Sequence, residues 1–242
     1  MSIIILSKEF SNIKTQLKKL IMSFSKLNSL FILLLFTLGC QSKPSSKELA
    51  INTTSGPDLS KYETAYFASG CFWCVEAIFE SVKGVAEVIS GYSGGKENQP
   101  TYKQVSYGRT THAEAVEVYY DPEVVSYETL VKVFFGSQNP TTLNQQGPDK
   151  GPQYRSIAFY KNEKQKEIIE NYINKLEEEK VFNGSIVTQV VPFEKFWKAE
   201  DYHQNYEKLN PNNSYIRNVS IPRLNNFKRK FPELLKDNEK LH

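Results

Sequence analysis

Two cysteines spaced Cys-x-x-Cys are the side chains of this sequence best suited to chemistry. Cys71 and Cys74 lie in the segment Gly-Cys-Phe-Trp-Cys, and one further cysteine, Cys40, occurs in the 242 residues. Two such thiols can form and break a disulfide, whereas a structural bridge that closes so short a loop removes little chain entropy. A structural zinc site needs four ligands, and the three histidines of the chain are widely separated. The spacing therefore favours thiol redox chemistry over a metal site.

The elements around these cysteines place Cys71 at the start of a helix. Residues 64–69 have the pattern of a short strand, Gly70 ends it, and residues 73–82 carry apolar side chains at helical spacing. Unpaired N–H groups and the positive end of the helix dipole stabilise a thiolate at such a turn, so we expect a lowered pKa at Cys71. Cys74 lies one turn into the helix, within disulfide reach. Cys71 is therefore the expected nucleophile and Cys74 the expected resolving thiol.

One acidic side chain interrupts an apolar strand pattern. Residues 113–120 alternate with period two, so Glu114 shares a face with Val116 and Val118. If that face belongs to the core, burial raises the pKa of Glu114 and makes it a proton donor near neutral pH. If Glu114 lies at a strand end facing solvent, it has no such role. The alternation alone leaves both interpretations open.

Periodicity along the rest of the chain predicts a mixed fold. Further strands are expected at 86–91, 156–160 and 186–191, and further helices at 127–135 and after the cap residue Asn162. With additions, the order is β-α-β-β-α-β. This order predicts an α+β fold, a two-layer α/β plait with a ferredoxin-like βαββαβ core, long loops and a C-terminal extension from about residue 208. The long loop at 136–155 is rich in Gly, Pro and amides, as functional loops often are.

The N-terminal segment has the pattern of a secretory leader. Lys26 precedes an unbroken apolar run at 30–36, which is too short to cross a bilayer because spanning takes roughly 20 apolar residues. Cys40 follows a glycine at the end of this run, as in the cleavage box of bacterial lipoproteins. Residues 1–39 are therefore predicted to be a signal peptide, and translation is expected to start at Met22. An ordinary signal peptide or a buried N-terminal helix, with an incidental cysteine, is the alternative.

A lipid on Cys40 would anchor the exported protein to a membrane, on its periplasmic or cell-surface face. Residues 40–60 would form a polar tether, and residues 61–242 one folded domain. The basic charge also belongs to the leader, since the formal charge of the whole chain is +3 while residues 1–39 hold five lysines and one glutamate. The remaining net charge of −1 gives no basic surface for a nucleic-acid partner.

A series of short motifs follows in order between residues 62 and 206. They are GCFW at 70–73, GYSGG at 91–95, PTY at 100–102, HAE at 112–114, YDP at 120–122, QGPD at 146–149, QYRS at 153–156 and AEDYHQ at 199–204. Together they closely resemble the A-type peptide methionine sulfoxide reductases. The resemblance implies an oxidoreductase that reduces the S epimer of methionine sulfoxide, free or in proteins, and so repairs oxidised proteins. It also implies an α/β plait core.

The resemblance implies a role for each reactive side chain. Cys71 would attack the sulfoxide sulfur, and Glu114 would give a proton to the sulfoxide oxygen. Cys71 would become a sulfenic acid, which Cys74 would convert to a Cys71–Cys74 disulfide. No cofactor or metal would be bound, and thioredoxin or a thioredoxin-like protein would reduce the disulfide. The implied substrate pocket has Phe72 and Trp73 around the methyl group, Tyr92 and Tyr154 on the oxygen, and Asp149 as an orienting carboxylate.

The chain departs from the family at one reactive position. Many members have Gly at the position of Cys74 and a resolving cysteine in a C-terminal tail, whereas no cysteine follows Cys74 here. Two other functional classes remain as alternatives. A thioredoxin-like disulfide oxidoreductase would use the Cys-x-x-Cys and Pro192, but gives Glu114 and the loop at 146–156 no role. A non-enzymatic surface lipoprotein would not need Cys71. We expect a monomer.

Overall fold

The computed structural model of the chain describes residues 58–240. The predicted signal peptide, Cys40 and most of the tether lie outside these residues. The strands are β1 Glu63–Ser69, β2 Val85–Ser93, β3 Ala113–Tyr120, β4 Gln145–Gln146, β5 Asp149–Lys150, β6 Ser156–Tyr160, β7 Gln189–Pro192 and β8 Phe196–Lys198. The α-helices are α1 Phe72–Glu80, α2 Tyr102–Ser106, α3 Tyr127–Gly136, α4 Glu163–Glu178, α5 Tyr206–Leu209 and α6 Ile221–Lys230. Together they form the predicted mixed α/β fold.

Six strands form one sheet in the order β7-β6-β1-β3-β2-β8. Every pairing in it is antiparallel except that of β6 with β7. The register places Tyr92 of β2 opposite Glu114 of β3, and Trp197 of β8 opposite Tyr92. Glu114, Tyr92 and Trp197 therefore lie side by side on β3, β2 and β8, at the end of the sheet where β1 leads into α1.

Apolar side chains between the sheet and its helices form the main core. Phe67 of β1 stacks on Phe79 of α1 and on Phe134 of α3, with ring centroids 5.1 Å apart in both pairs. A side-chain cap fixes the start of α3, because the Ser126 hydroxyl accepts the Thr129 N–H. Burial of these aromatic side chains anchors α1, and with it the two cysteines, to the sheet.

The predicted elements agree with the structure at most positions. The strands predicted at 113–120 and 156–160 have the predicted bounds, and the helix predicted after Asn162 begins at Glu163. Three predictions need correction. The last of the predicted strands, β7, begins at Gln189, three residues later than predicted. The loop predicted at 136–155 contains the β4–β5 hairpin. The later strand β8 was not predicted, because a strand of three residues is defined by its partner rather than by its own pattern.

The C-terminal extension is an integral part of the domain. Ile216 and Phe227 are fully buried, and α6 packs beside α1. The Lys83 N–H donates to Leu234 O at 2.8 Å, and the Lys236 N–H donates to Ser81 O at 2.9 Å, which ties the end of the chain to the end of α1. Residues after 208 therefore form one wall of the region around the cysteines. Within residues 58–240, no helix is long and apolar enough to cross a membrane.

Candidate active site

Cys71 lies at the turn between β1 and α1, as predicted. It is the N-cap residue of α1, and its carbonyl accepts the N–H groups of Cys74 and Val75. Gly70 makes this turn possible because its φ of +83° is in the left-handed region. A Cβ on Gly70 would also lie 2.6 Å from Cβ of Gln146, so glycine allows the β4–β5 hairpin to pack against the turn.

The two cysteines are free thiols in a buried site. Cys71 is 6% exposed and Cys74 is 1% exposed. Burial raises the pKa of Cys71, and the hydrogen bond between the two thiols raises it further. The same hydrogen bond lowers the pKa of Cys74 against the effect of burial. The predicted lowering at Cys71 is therefore wrong for the substrate-free protein, because removing the sulfur from water outweighs the helix N-terminus.

Glu114 belongs to the core, which settles the two interpretations that the sequence left open. Its side chain is 2% exposed, and one of its carboxylate oxygens accepts the Phe72 N–H at 3.1 Å. This bond joins β3 to the first residue of α1, directly after Cys71. Burial raises the pKa of Glu114 to about 8, although the bond from Phe72 opposes the shift. Glu114 is therefore a protonated carboxylic acid at neutral pH, beside the Cys71 turn.

Aromatic rings form one side of this site. Phe72 lies among Trp73, Tyr92 and Tyr102, with ring centroids about 6 Å from each. Tyr206 stacks on Trp73 at 3.9 Å, with the ring planes 8° apart. These rings provide an apolar surface beside Cys71 of the kind that a methyl group or a thioether contacts favourably.

His203 supports this aromatic wall. Its Nδ1 accepts the indole N–H of Trp73 at 3.2 Å, so the ring proton lies on Nε2. Burial lowers the pKa of His203 to about 4, and the ring is therefore neutral. It also packs 5.0 Å from Phe72 and 4.3 Å from Tyr102. The sequence motif contained His203 but did not reveal this positioning contact.

Glu200 holds two of the site tyrosines. Its carboxylate accepts the Tyr92 hydroxyl at 2.9 Å and the Tyr102 N–H at 2.9 Å. The Tyr92 hydroxyl, which we expected on the sulfoxide oxygen, therefore has a protein partner in this structure. Tyr154 is half-buried in the turn after β5, and burial raises its pKa. Tyr154 thus keeps its hydroxyl proton.

The C-terminal segment supplies site residues that the sequence did not predict. The Tyr215 hydroxyl donates to Asp149 at 2.6 Å and lies 3.8 Å from Sγ of Cys74. Arg223 of α6 donates to Ser137 O at 2.8 Å, and its positive charge lowers the pKa of Cys74. No spacing rule links these residues to the cysteines, because only the tertiary fold brings them together. Asp149, predicted as a substrate residue, therefore lies on the Cys74 side of the site.

Glu76 is a second buried carboxyl near the aromatic wall. It is 2% exposed and accepts hydrogen bonds from the Ser90 hydroxyl and the Asn205 N–H. Burial raises its pKa to about 7. Asn205 has a φ of +54° and directly precedes Tyr206, so Glu76 holds the backbone that presents Tyr206 to Trp73. Within residues 58–240, no group of three or more His, Cys, Asp or Glu side chains could hold a metal ion.

Comparison with known proteins identifies the family. The model of the family described as peptide methionine sulfoxide reductase matches residues 63–235. The chain belongs to this family. It is 49% identical over 178 residues to peptide methionine sulfoxide reductase MsrA 1 of Rhodopirellula baltica, a match that covers 74% of this chain and 92% of the relative. The MsrA enzyme of Pasteurella multocida is 48% identical over 174 residues, which cover 72% of this chain and 99% of the relative.

Solved structures of similar proteins agree with this assignment. Mxr1 of Saccharomyces cerevisiae in its reduced form is 32% identical, with a TM-score of 0.59, over 63% of this chain and 88% of Mxr1. Methionine sulfoxide reductase A of Corynebacterium diphtheriae is 35% identical, with a TM-score of 0.57, over 63% of this chain and 76% of that protein. The peptide methionine sulfoxide reductase described here is thus an oxidoreductase that uses thiols to reduce methionine sulfoxide and repair oxidised protein.

Proposed function

We propose that this reductase acts on the S epimer of methionine sulfoxide, with Cys71 as nucleophile, Glu114 as acid and Cys74 as resolving thiol. The observation that carries the proposal is the position of Glu114, a buried carboxyl bonded to the N–H of the residue after Cys71. A sulfoxide oxygen leaves sulfur only after it is protonated. A carboxylic acid that stays protonated at neutral pH, beside a thiol, supplies that proton.

The first step transfers oxygen from the substrate to Cys71. The attacking group is the thiolate of Cys71, which forms when the Cys71 thiol releases its proton. The thiolate sulfur attacks the sulfoxide sulfur while Glu114 protonates the oxygen. The oxygen ends on Cys71 as a sulfenic acid, methionine leaves, and Glu114 is left as a carboxylate. The sulfoxide sulfur is reduced by two electrons and Sγ of Cys71 is oxidised by two.

The second step forms the disulfide. Sγ of Cys74 attacks Sγ of Cys71, the S–O bond breaks, and the oxygen leaves as water with one proton from the Cys74 thiol and one from the sulfenic acid. The helix geometry supports this step because Cys74 lies one turn after Cys71 in α1. A thioredoxin or thioredoxin-like protein then reduces the Cys71–Cys74 disulfide and restores both thiols. No cofactor bound to this chain takes part.

The aromatic wall supplies recognition of the methionine side chain. Phe72 and Trp73 would contact the substrate methyl group, and Tyr206 would keep the Trp73 ring in place by stacking on it. Tyr154 would donate its hydroxyl to the sulfoxide oxygen, and so would Tyr92 after its hydrogen bond to Glu200 is exchanged. Asp149 would orient the substrate from the Cys74 side.

Epimer-resolved turnover tests this proposal. The chain is incubated with dithiothreitol and either the S or the R sulfoxide of a blocked methionine, beside the Cys71→Ser and Cys74→Ser variants. We expect consumption of the S epimer alone, no consumption by Cys71→Ser, and loss of only thioredoxin-driven turnover in Cys74→Ser. Consumption of the R epimer, or activity of Cys71→Ser, contradicts the proposal. Reduction of a test protein disulfide without sulfoxide consumption would favour the thioredoxin-like alternative.

We also propose that the chain is an exported lipoprotein, with residues 1–39 as signal peptide, a lipid on Cys40, and residues 40–60 as tether to the domain at 61–242. The leader pattern and the position of Cys40 after Gly39 support this proposal. Bacteria that express the full chain are fed an alkyne-labelled palmitate. Label in the membrane fraction, absent from Cys40→Ala, is the expected result. Unlabelled protein in the soluble fraction contradicts lipid anchoring.

We infer that the four central strands are a ferredoxin-like βαββαβ plait extended by β7 and β8. The order β6-β1-β3-β2 and its antiparallel pairings support this assignment, since α1 connects β1 to β2 and α3 lies between β3 and β6, as a split βαβ arrangement requires. A superposition of these four strands on ferredoxin-like proteins tests it, and a different chain direction in any strand contradicts it.

A further inference from the structure

The turn at residues 199–204 carries an exposed aromatic ring next to the active site. Tyr202 is 60% exposed, and its ring packs against the His203 ring with the centroids 4.1 Å apart. The neighbours of Tyr202 in this turn already have roles, since Glu200 holds two site tyrosines and His203 accepts the Trp73 N–H. The chemistry described above gives the Tyr202 ring no role.

The aromatic wall becomes more exposed toward Tyr202. Phe72, the residue after Cys71, is 1% exposed, whereas Trp73 is half-buried. His203 packs 5.0 Å from Phe72 on one side and 4.1 Å from Tyr202 on another, measured between ring centroids. Two ring contacts therefore connect the buried floor of the site with a ring that faces solvent. A substrate that extends outward from Phe72 along this wall meets Tyr202.

Hydrogen bonds to β2 fix the backbone on both sides of Tyr202. The Gln204 side chain accepts the Ser90 N–H at 2.9 Å and donates to Ser90 O at 3.0 Å. On the other side, the Ala199 N–H donates to Ser90 O at 2.9 Å. The turn thus presents Tyr202 from a backbone that is already ordered. An aromatic ring held in this way offers a contact surface whose ordering costs little when a ligand binds.

The groups around Tyr202 leave its ring as the free contact. The two oxygens of Glu200 accept one hydrogen bond each, from two site tyrosines, and Asp201 pairs with Lys198 at 2.8 Å. No carboxylate of the turn is therefore free for a cationic ligand. Burial opposes these hydrogen bonds, but they lower the pKa of Glu200, which carries a negative charge without an ion pair in residues 58–240. The turn thus suits an aromatic side chain and repels an acidic one.

We propose that Tyr202 is a specificity-determining residue that contacts the side chain next to the oxidised methionine in a peptide, and that it favours an aromatic side chain there. The proposal rests on the function inferred above, in which Phe72 contacts the methyl group of the substrate. The Cα of the neighbouring residue lies about 3.8 Å from that of the methionine. A side chain on this residue therefore extends over His203 to the Tyr202 ring, while the methionine side chain occupies the floor.

Competition between two peptides measures this preference. Equal concentrations of the S sulfoxides of acetyl-Phe-Met-Phe-amide and acetyl-Ala-Met-Ala-amide are reduced in one reaction with dithiothreitol, and chromatography follows both products. The ratio of the initial rates equals the ratio of the two kcat/KM values, and it does not depend on how much of the enzyme is folded. We expect the Phe-flanked peptide to be consumed about two- to ten-fold faster, the range that one aromatic pair contributes.

Three variants assign the preference to the Tyr202 ring. Tyr202→Ala should bring the ratio close to one, and Tyr202→Phe should keep it because the ring remains. Tyr107→Ala is the matched control, since Tyr107 is 69% exposed and its ring centroid lies 5.5 Å from the Arg109 guanidinium. The control should have the ratio of the unmodified chain. A preference that survives in Tyr202→Ala, or an equal loss in Tyr107→Ala, overturns the proposal.

Charged peptides test the chemistry of the contact. A Glu-flanked peptide should be consumed about two-fold more slowly than the Ala-flanked peptide, because Glu200 repels it, and the difference should shrink in 0.5 M KCl. Equal or faster consumption of the Glu-flanked peptide contradicts a binding position beside Glu200. An Arg-flanked peptide that is consumed faster than the Phe-flanked peptide, and loses this advantage in Tyr202→Ala, overturns the assignment of an aromatic ligand.

The competition also separates the two levels of inference. If the unmodified chain reduces neither the Phe-flanked nor the Ala-flanked S sulfoxide with dithiothreitol, the proposed function itself fails. If it reduces both at equal rates, the function stands and the inference about Tyr202 is refuted.

Discussion

Replacing Glu114 by glutamine should stabilise the protein at alkaline pH while it removes activity. The carboxyl is 2% exposed, and burial raises its pKa from 4.5 to about 8. At about 1.4 kcal/mol for each pH unit, this difference corresponds to about 5 kcal/mol. Glutamine has the same shape, cannot ionise, and its carbonyl oxygen can still accept the Phe72 N–H. The variant therefore isolates the cost of a buried carboxylate.

The sign of the effect follows from proton linkage. Between pH 4.5 and about pH 8 the folded protein keeps the Glu114 proton and the unfolded chain does not, so folding takes up a proton. The free energy of unfolding of the unmodified protein should fall across this window relative to Glu114→Gln. The difference between the two proteins should change by up to about 5 kcal/mol in favour of glutamine.

Urea unfolding at pH 5 to 9 measures this difference. Both proteins carry Cys71→Ser and Cys74→Ser, so that no active-site thiol titrates in the same window. Parallel stability curves would refute the assignment of a buried, protonated Glu114. In the chain with its cysteines intact, single-turnover reduction of the S sulfoxide should slow by about 10²- to 10⁴-fold in Glu114→Gln, the usual contribution of a general acid.

Three further substitutions test the packing around the site. Leu130→Ala, in the fully buried face of α3, should cost about 2–5 kcal/mol in urea unfolding, and a loss under about 1 kcal/mol would contradict the core assignment. Gly91→Ala would place a Cβ 2.3 Å from the Phe196 ring, so we expect a loss of about 1–3 kcal/mol in the same assay; an unchanged midpoint would contradict the close β2–β8 contact. Glu76→Ala removes the hydrogen bond that holds the Asn205 N–H, so the backbone before Tyr206 should become less fixed. We expect the KM for sulfoxide to rise roughly two- to ten-fold at similar kcat, and the KM of Glu76→Gln to lie closer to that of the unmodified protein. Equal KM values in Glu76→Ala and the unmodified protein would show that this bond does not position the aromatic wall.

The reactive turn was predictable from sequence because its determinants are local. Strand alternation, a glycine and helical spacing within about 20 residues define the β1–Cys71–α1 turn, and the structure has it there. The face of Glu114 was not predictable, because alternation does not reveal which strands flank β3. The structure has β1 on one side and β2 on the other, so Glu114 lies inside the sheet and under α1.

The remaining features of the site depend on contacts between distant parts of the chain. Tyr215 and Cys74 are 141 residues apart in sequence, and their contact exists only because the C-terminal segment folds back over α1. The pKa of Cys71 depends in the same way on burial, which tertiary packing produces. A local rule about helix N-termini therefore predicted the wrong direction at Cys71, while the position of the residue was predicted correctly.

Single-turnover stoichiometry without reductant tests the Cys71–Glu114–Cys74 mechanism most directly. The reduced chain is mixed with excess S sulfoxide, and methionine, free thiols of residues 71 and 74, and dimedone adducts are measured. We predict one methionine per chain with loss of both thiols, one methionine with a dimedone adduct on Cys71 in Cys74→Ser, and none in Cys71→Ser. Methionine released by Cys71→Ser, or full release by the unmodified chain with both thiols still free, would contradict the mechanism.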